Sequence, residues 1–286
     1  MIQEGIQLIA EKAREVLGKP ADSIRQIENV PYSTVFVVSA GGKQYIAKLY
    51  QSREWPEDHK LAYVDRLLTR YRVPHARCLC FDRDDPRFPD GFLLEEFLPG
   101  RRPEGSEEFY RKFGELTARF HAVPMRGFGY FGGGDGCYDS FTDFIGDVMD
   151  DNAEKAFSLH LPGAETHRKL REDLVHRLSC CDGLPPVLCH GDLSEGNVLQ
   201  DGGVLTPIDW DDALALPWIF DAARLTYHLM RGYDPDTARR YRDAFLAAHG
   251  GGRALYDAAE APLLAYFKLD FDVFEAERKH DERSRR

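Results

Sequence analysis

Apolar residues recur along the chain with two different periods, and the change between them divides it. Segment 1–17 repeats at helical spacing and is stopped by Gly18-Lys19-Pro20. Strand-like stretches follow at 23–30, 34–38 and 44–50. Gly41-Gly42 lies between the last two, a residue pair suited to a tight hairpin turn. A helix is predicted over 56–71, where Leu61, Val64, Leu67 and Leu68 fall at helical spacing, and Val73-Pro74 closes it. Two more strands are predicted at 76–81 and 92–98, on either side of the polar loop 82–90. After Pro99-Gly100 the pattern becomes helical, over 107–121, 138–161, 165–178, 217–231, 235–249 and 254–279. A glycine- and aromatic-rich loop at 126–136 interrupts it, as do two short strands, 197–200 and 204–208, around Asp201-Gly202-Gly203. Strands first and helices afterwards imply an α+β chain of two lobes, an N-terminal lobe at 1–98 and a C-terminal lobe at 99–286.

Composition narrows this picture without changing it. With 286 residues, 43% of them hydrophobic and 30% charged, each lobe can bury its own core. No apolar run approaches the ~20 residues that span a bilayer. The N-terminal amphipathic segment carries acidic residues and no small-residue cleavage site, so it does not read as a secretory signal. A soluble, cytoplasmic protein with no membrane partner is expected. The net charge of −11 argues against nucleic acid as a partner and is compatible with a cationic substrate. The six cysteines lack zinc-site spacing and are expected to be reduced thiols.

Three segments carry chemistry. His190-Gly191-Asp192-Leu193-Ser194-Glu195-Gly196-Asn197 places a carboxylate and a carboxamide five residues apart on a loop before a strand. The protein-kinase catalytic loop reads H-R-D-L-x-x-x-N, and this segment matches it with glycine for the arginine. In that chemistry the Asp reaches the attacking hydroxyl and the Asn holds Mg²⁺ on the phosphates. Downstream, Pro207-Ile208-Asp209-Trp210-Asp211-Asp212 ends a returning strand on Asp209, a second oxygen ligand suited to Mg²⁺. Upstream, Lys48 shares a strand face with Ile46 and Tyr50. A lysine in so apolar a strand calls for an anion, and the α/β-phosphates of ATP would supply one. All three occur in kinase order.

With these residues in place, the chain resembles the aminoglycoside phosphotransferase and choline kinase-like superfamily over about 20–280. HGDLSEGNVL is similar to that family's HGD-x-x-x-x-N motif, PIDWDDA to its I-D-W-[DE]-x-A metal motif, and Asp221 in FDAARL to the Asp that follows. LLEEFLPG resembles its hinge segment. The resemblance implies a bilobal, protein kinase-like fold. It implies Asp192 as catalytic base, Asn197 and Asp209 as Mg²⁺ ligands, and Lys48 on the ATP phosphates. It also implies adenine contacts through the backbone of Glu95 and Phe97, with His190 bracing the loop. Two departures stand out. The nucleotide loop, Asn29-Val30-Pro31-Tyr32-Ser33-Thr34, lacks glycines, leaving Ser33 and Thr34 to offer N–H and hydroxyl groups. No obvious glutamate pairs with Lys48; Glu57 and Asp58, at the start of the 56–71 helix, are the nearest, and Asp211 is a supporting carboxylate.

Gly191, the absence of A-P-E and the short path from Asp209 to the next helix point away from a protein substrate. The expected activity is ATP- and Mg²⁺-dependent transfer of the γ-phosphate to a hydroxyl of a small molecule. An antibiotic or natural product, aminoglycoside-like among them, is one acceptor class. A metabolite such as choline, a sugar or an amino alcohol is another. A nucleotide-binding regulator without activity is the rival reading. Acidic residues from Asp135 to Glu154, with Asp270, Asp272 and Glu275, would suit a cationic acceptor or form a solvated face. Tyr130, Phe131, Tyr138, Phe141 and Phe144 would stack on an acceptor or fill the core.

Overall fold

Alternating side chains carry the first hundred residues into an antiparallel sheet. A computed structural model of the chain describes residues 2–30, 32–161 and 164–284. Helix α1 (Ile2–Leu17) is followed by strands β1 (Ser23–Val30), β2 (Ser33–Ala40) and β3 (Lys43–Tyr50). Helix α2 (Lys60–Arg70) precedes β4 (Cys78–Asp82) and β5 (Phe92–Glu96). The five strands form one sheet in the order β1-β2-β3-β5-β4, every pair antiparallel. Gly41 and Gly42 turn the β2–β3 hairpin with φ of 56° and 74°, the left-handed values that favour glycine in such a turn. On one face Ile9 and Ala13 of α1 pack against Phe36, Val38, Ala47, Phe92 and Leu94. Helix α2 begins later than its periodicity suggests, because His59 sits at φ 65° and breaks the helical path before Lys60.

The helical part contains α3 (Glu107–Phe120), α4 (Phe141–Ser158) and α5 (Ala164–Leu178). Next come β6 (Val187–Cys189), a hairpin of β7 (Val198–Asp201) and β8 (Val204–Pro207), and β9 (Leu214–Leu216). Helices α6 (Ile219–Gly232), α7 (Pro235–His249) and α8 (Arg253–Ser284) complete it. Ser106 and Ser140 cap α3 and α4, their hydroxyls accepting the N–H of Phe109 and Asp143. Strands β6 and β9 pair antiparallel, joining the segment before His190 to the one after Asp212.

The chain divides into two compact units. One is residues 1–101 with 199–211; the other is 102–198 with 212–286. The first unit thus takes in the β7–β8 hairpin through Asp211, tied by an isolated bridge between Arg101 and Gln200. No helix among the described residues is long and apolar enough to cross a membrane. The cysteines among them are all free thiols.

Candidate active site

In the first unit the site is built around Lys48. Strand β3 is a central strand, and Lys48 lies opposite Val35 on β2 and Leu93 on β5. Its side chain is 8% exposed, so the ammonium must be met by anions. It is met by two: Nζ lies 2.5 Å from Asp209 Oδ1 and 3.0 Å from Asp211 Oδ2. Tyr50, two residues along the same strand face, donates its hydroxyl to Asp211 Oδ1 at 3.1 Å, and Lys60 Nζ donates to the Asp211 carbonyl at 3.3 Å. Burial drives the Lys48 pKa down, but Asp209, Asp211 and Glu95 outweigh it and hold the pKa well above the usual lysine range. Asp209 is a non-glycine residue at φ 65°, a strained conformation found where a site over-determines the backbone.

The carboxylate expected from the start of α2 is not Lys48's partner. Glu57 pairs with Lys60, and Asp58 pairs with Arg53 and Arg83. Because α2 starts only at Lys60, both acids lie in the preceding turn; the helix itself buries Leu61, Val64 and Leu68. Its buried acid, Asp65, is spent on Arg77, His75 and the Cys78 N–H. Asp211 takes the anchoring role on Lys48 instead. Ser33 and Thr34 are not in an open loop. They begin β2 and pair with Val30 and Asn29, and Thr34 Oγ1 accepts from Gln51. Pro31, between the two strands, is outside the described residues. Glu95 sits in β5 opposite Ile46, on the Lys48 face of the sheet, and Phe97 follows the strand. Burial pushes the Glu95 carboxyl up to about 8, with Lys48 pulling it down and Asp211 and Asp209 pushing it further up.

In the second unit the site is the loop after β6, anchored from several directions. Asp221 of α6 is fully buried and accepts the N–H of His190 at 2.7 Å and of Gly191 at 2.9 Å, and it pairs with His121 at 3.0 Å. His190 itself is fully buried beneath the loop. Glu195 accepts hydroxyls from Tyr110 at 2.5 Å and Tyr233 at 2.8 Å. Gly191 has φ 83°, and a Cβ there would lie 1.8 Å from the Asp212 carbonyl oxygen. Glycine is therefore a steric requirement at this position, besides lacking the arginine that reads a phosphorylated loop.

This scaffold presents Asp192. Asn197 Nδ2 donates to both the Asp192 carbonyl and its Oδ2, each at 2.9 Å. With both N–H groups so used, the amide keeps its Oδ1 as a ligand oxygen, which fits a hard cation such as Mg²⁺. Asp192 Oδ1 accepts from Arg224 Nε at 3.0 Å and lies 3.0 Å from His228 Nε2. Burial pushes the Asp192 carboxyl up, but the His228 hydrogen bond and the charges of Arg224, His228 and His190 hold it well below the usual carboxylate range. Arg224 and His228 were not foreseen. Their signal was present: Asp221, Arg224 and His228 recur at i, i+3 and i+7 on an otherwise apolar helix.

The acidic stretch behaves mostly as a solvated face. Asp143, Asp147, Asp150 and Asp151 are exposed, Asp147 accepts from Tyr138, and Asp150 pairs with Arg171. Phe131, Phe141 and Phe144 are buried in the core, whereas Tyr130 is 40% exposed.

Comparison with known proteins settles the lineage. The sequence profile of the phosphotransferase enzyme family matches residues 23–259. The chain belongs to this family. Its members' chemistry makes it a phosphotransferase that acts on hydroxyl-bearing small molecules. No curated protein matches it at the sequence level. Among solved structures, it is similar to a thermostable mutant of aminoglycoside phosphotransferase APH(4)-Ia, with a TM-score of 0.68 at 18% identity, over 93% of this chain and 94% of that one. It is also similar to a putative fructosamine-3-kinase from Thermobifida fusca, with a TM-score of 0.60 at 20% identity, over 89% and 98%. The GDP and kanamycin complex of a third phosphotransferase, APH(2″)-IIIa, aligns with a TM-score of 0.63 at 13% identity, over 97% and 94%. These likenesses establish the protein kinase-like fold of this phosphotransferase.

Proposed function

We propose that this phosphotransferase uses Mg-ATP to phosphorylate a hydroxyl of a small polyhydroxylated acceptor, an antibiotic-like natural product or a sugar-like metabolite. The observation that carries the reading is the Asp192 carboxylate, held ionised and pinned by Asn197 on a loop whose backbone is locked by Asp221. A carboxylate so fixed accepts the hydrogen bond of an incoming hydroxyl and aims its oxygen. As the acceptor oxygen bonds to the γ-phosphorus and the bond from that phosphorus to the ADP leaving oxygen breaks, the hydroxyl proton passes to Asp192. Lys48 is the phosphate-binding cation. In this structure its charge is met by Asp209 and Asp211. With nucleotide bound, Asp211, itself held by the Tyr50 hydroxyl, would retain Lys48 while the phosphates take the place of Asp209. Asp209 and Asn197 would each offer an oxygen ligand to Mg²⁺, which would supply positive charge beside the transferred group. Glu95 and Phe97 offer backbone groups to the base.

Solved structures of similar fold hold ADP with hygromycin B, or GDP with kanamycin, which supports a nucleotide and a polyhydroxylated acceptor here. The test is an acceptor panel of sugars, amino alcohols and aminoglycosides read by ADP release, with Asp192→Ala as control. Acceptor-dependent release that the substitution removes is expected. Tight Mg-ATP binding with no turnover on any acceptor would favour a regulator.

A further inference from the structure

The groups nearest the reacting carboxylate are donors. Two N–H groups hydrogen-bond Asp192 Oδ1, Nε of Arg224 at 3.0 Å and Nε2 of His228 at 3.0 Å, and the Arg224 Nη2 also lies 3.0 Å from it as an ion pair. A carboxylate oxygen has two lone pairs, so these two hydrogen bonds already fill this oxygen's acceptor capacity. An acceptor hydroxyl that binds it must displace at least one of them. Arg224 is held from behind: its guanidinium lies over the Phe267 ring at 5.2 Å and 3.9 Å from Asp270 Oδ2, with 17% of the side chain exposed. His228 is 32% exposed. Insertion of a hydroxyl therefore leaves a fixed cation and a displaced imidazole beside the reacting carbon.

The carboxylates that would greet an ammonium group are engaged elsewhere in this unit. Asp147 accepts from Tyr138, Asp150 pairs with Arg171, and Asp270 is shared by Asn152 and Arg224. The charge of Asp212, like that of Asp192 and Asp270, favours the charged form of Arg224. An oxyanion on the carbon next to the reacting hydroxyl would take up the donors that the hydroxyl releases. An ammonium there would face a guanidinium that cannot retreat.

We propose that Arg224 and His228 are the acceptor-recognition pair, and that they select an acceptor whose reacting hydroxyl is flanked by an oxyanion, a carboxylate or a phosphate ester. This rests on the kinase reading above and narrows its acceptor class to hydroxy acids, sugar acids or phosphorylated polyols.

One polyol skeleton with different end groups tests it. The protein, saturated with Mg²⁺ and a non-hydrolysable ATP analogue, is titrated calorimetrically with gluconate, glucitol, glucamine and glucitol 6-phosphate. Gluconate or the phosphate ester should bind at least tenfold more tightly than glucamine, with glucitol between; the tighter of the two identifies carboxylate or phosphate. Arg224→Gln should bring the preference within about twofold, Arg224→Lys should keep part of it, and His228→Asn should weaken it. The wild-type ranking needs no variant, so a misfolded substitution does not obscure the answer. Glucamine binding as well as or better than both oxyanions, no binding of either oxyanion, or a preference unchanged in Arg224→Gln would overturn the assignment. Failure of the ATP analogue to bind is a separate result that strikes at the kinase reading itself.

Discussion

At the residue scale, the site is a set of charges each fixed by a named neighbour. Lys48 and Asp192 were legible in the sequence because their signals are local: an isolated lysine in an apolar strand, and a carboxylate five residues from an amide. Their partners were not. Asp211 stood in the sequence only as a supporting carboxylate, and the regular spacing of Arg224 and His228 on α6 marks a helix face without saying that it meets Asp192, more than thirty residues upstream. Gly191 shows a different limit. Its presence suggested what the protein does not read, but only the 1.8 Å approach of a built Cβ to the Asp212 carbonyl shows why no side chain fits. Gly191→Ala should therefore destabilise the fold by at least about 2 kcal/mol and remove activity, since the loop must shift or strain. Urea unfolding of the variant would check this; an unchanged midpoint would contradict it.

At the element scale, long amphipathic segments matched their periodicity, while the three-residue strands β6 and β9 are too short to carry one. Yet these strands frame the catalytic loop, and α6 locks it through one carboxylate. Asp221→Ala would leave two buried backbone N–H groups without their acceptor, each costing about 1–3 kcal/mol. A loss of about 3 kcal/mol or more is expected in chemical unfolding, with a greater loss of turnover than of nucleotide binding. In β5 the element-scale consequence is a pH dependence. The Glu95 carboxyl is raised from the usual 4.5 to about 8, chiefly by burial. The unfolded chain therefore holds fewer protons than the native one between these values, so this group's contribution to stability falls as pH rises through that window. His249, lowered to about 3 by burial and by His121, acts in the opposite sense at lower pH, its neutral form being favoured in the fold. Glu95→Gln isolates the first effect: the variant's stability relative to wild type should increase from pH 4.5 to pH 8. A difference that stays flat across this range would contradict the account.

At the scale of the whole molecule, the order of strands and helices pointed to an α+β kinase-like chain, and the fold and family agree with it. Chain order alone could not show that 199–211 packs with the first unit, because the tie runs through Lys48 and Arg101, which lie about a hundred residues or more upstream. The net charge was a weaker guide. Part of the acidic surface is solvated or internally paired, as Asp147 with Tyr138 and Asp150 with Arg171, so −11 alone does not locate a binding site. On the proposed reading the first unit handles the nucleotide and the second the acceptor, and transfer depends on the Asp192 carboxylate. The most direct measurement is ADP release by Asp192→Ala against wild type on an acceptor that supports turnover, paired with calorimetric binding of Mg-ATP. Turnover should fall by at least about 100-fold while the nucleotide dissociation constant stays within a few-fold. A variant that keeps near-full turnover would contradict the role assigned to Asp192.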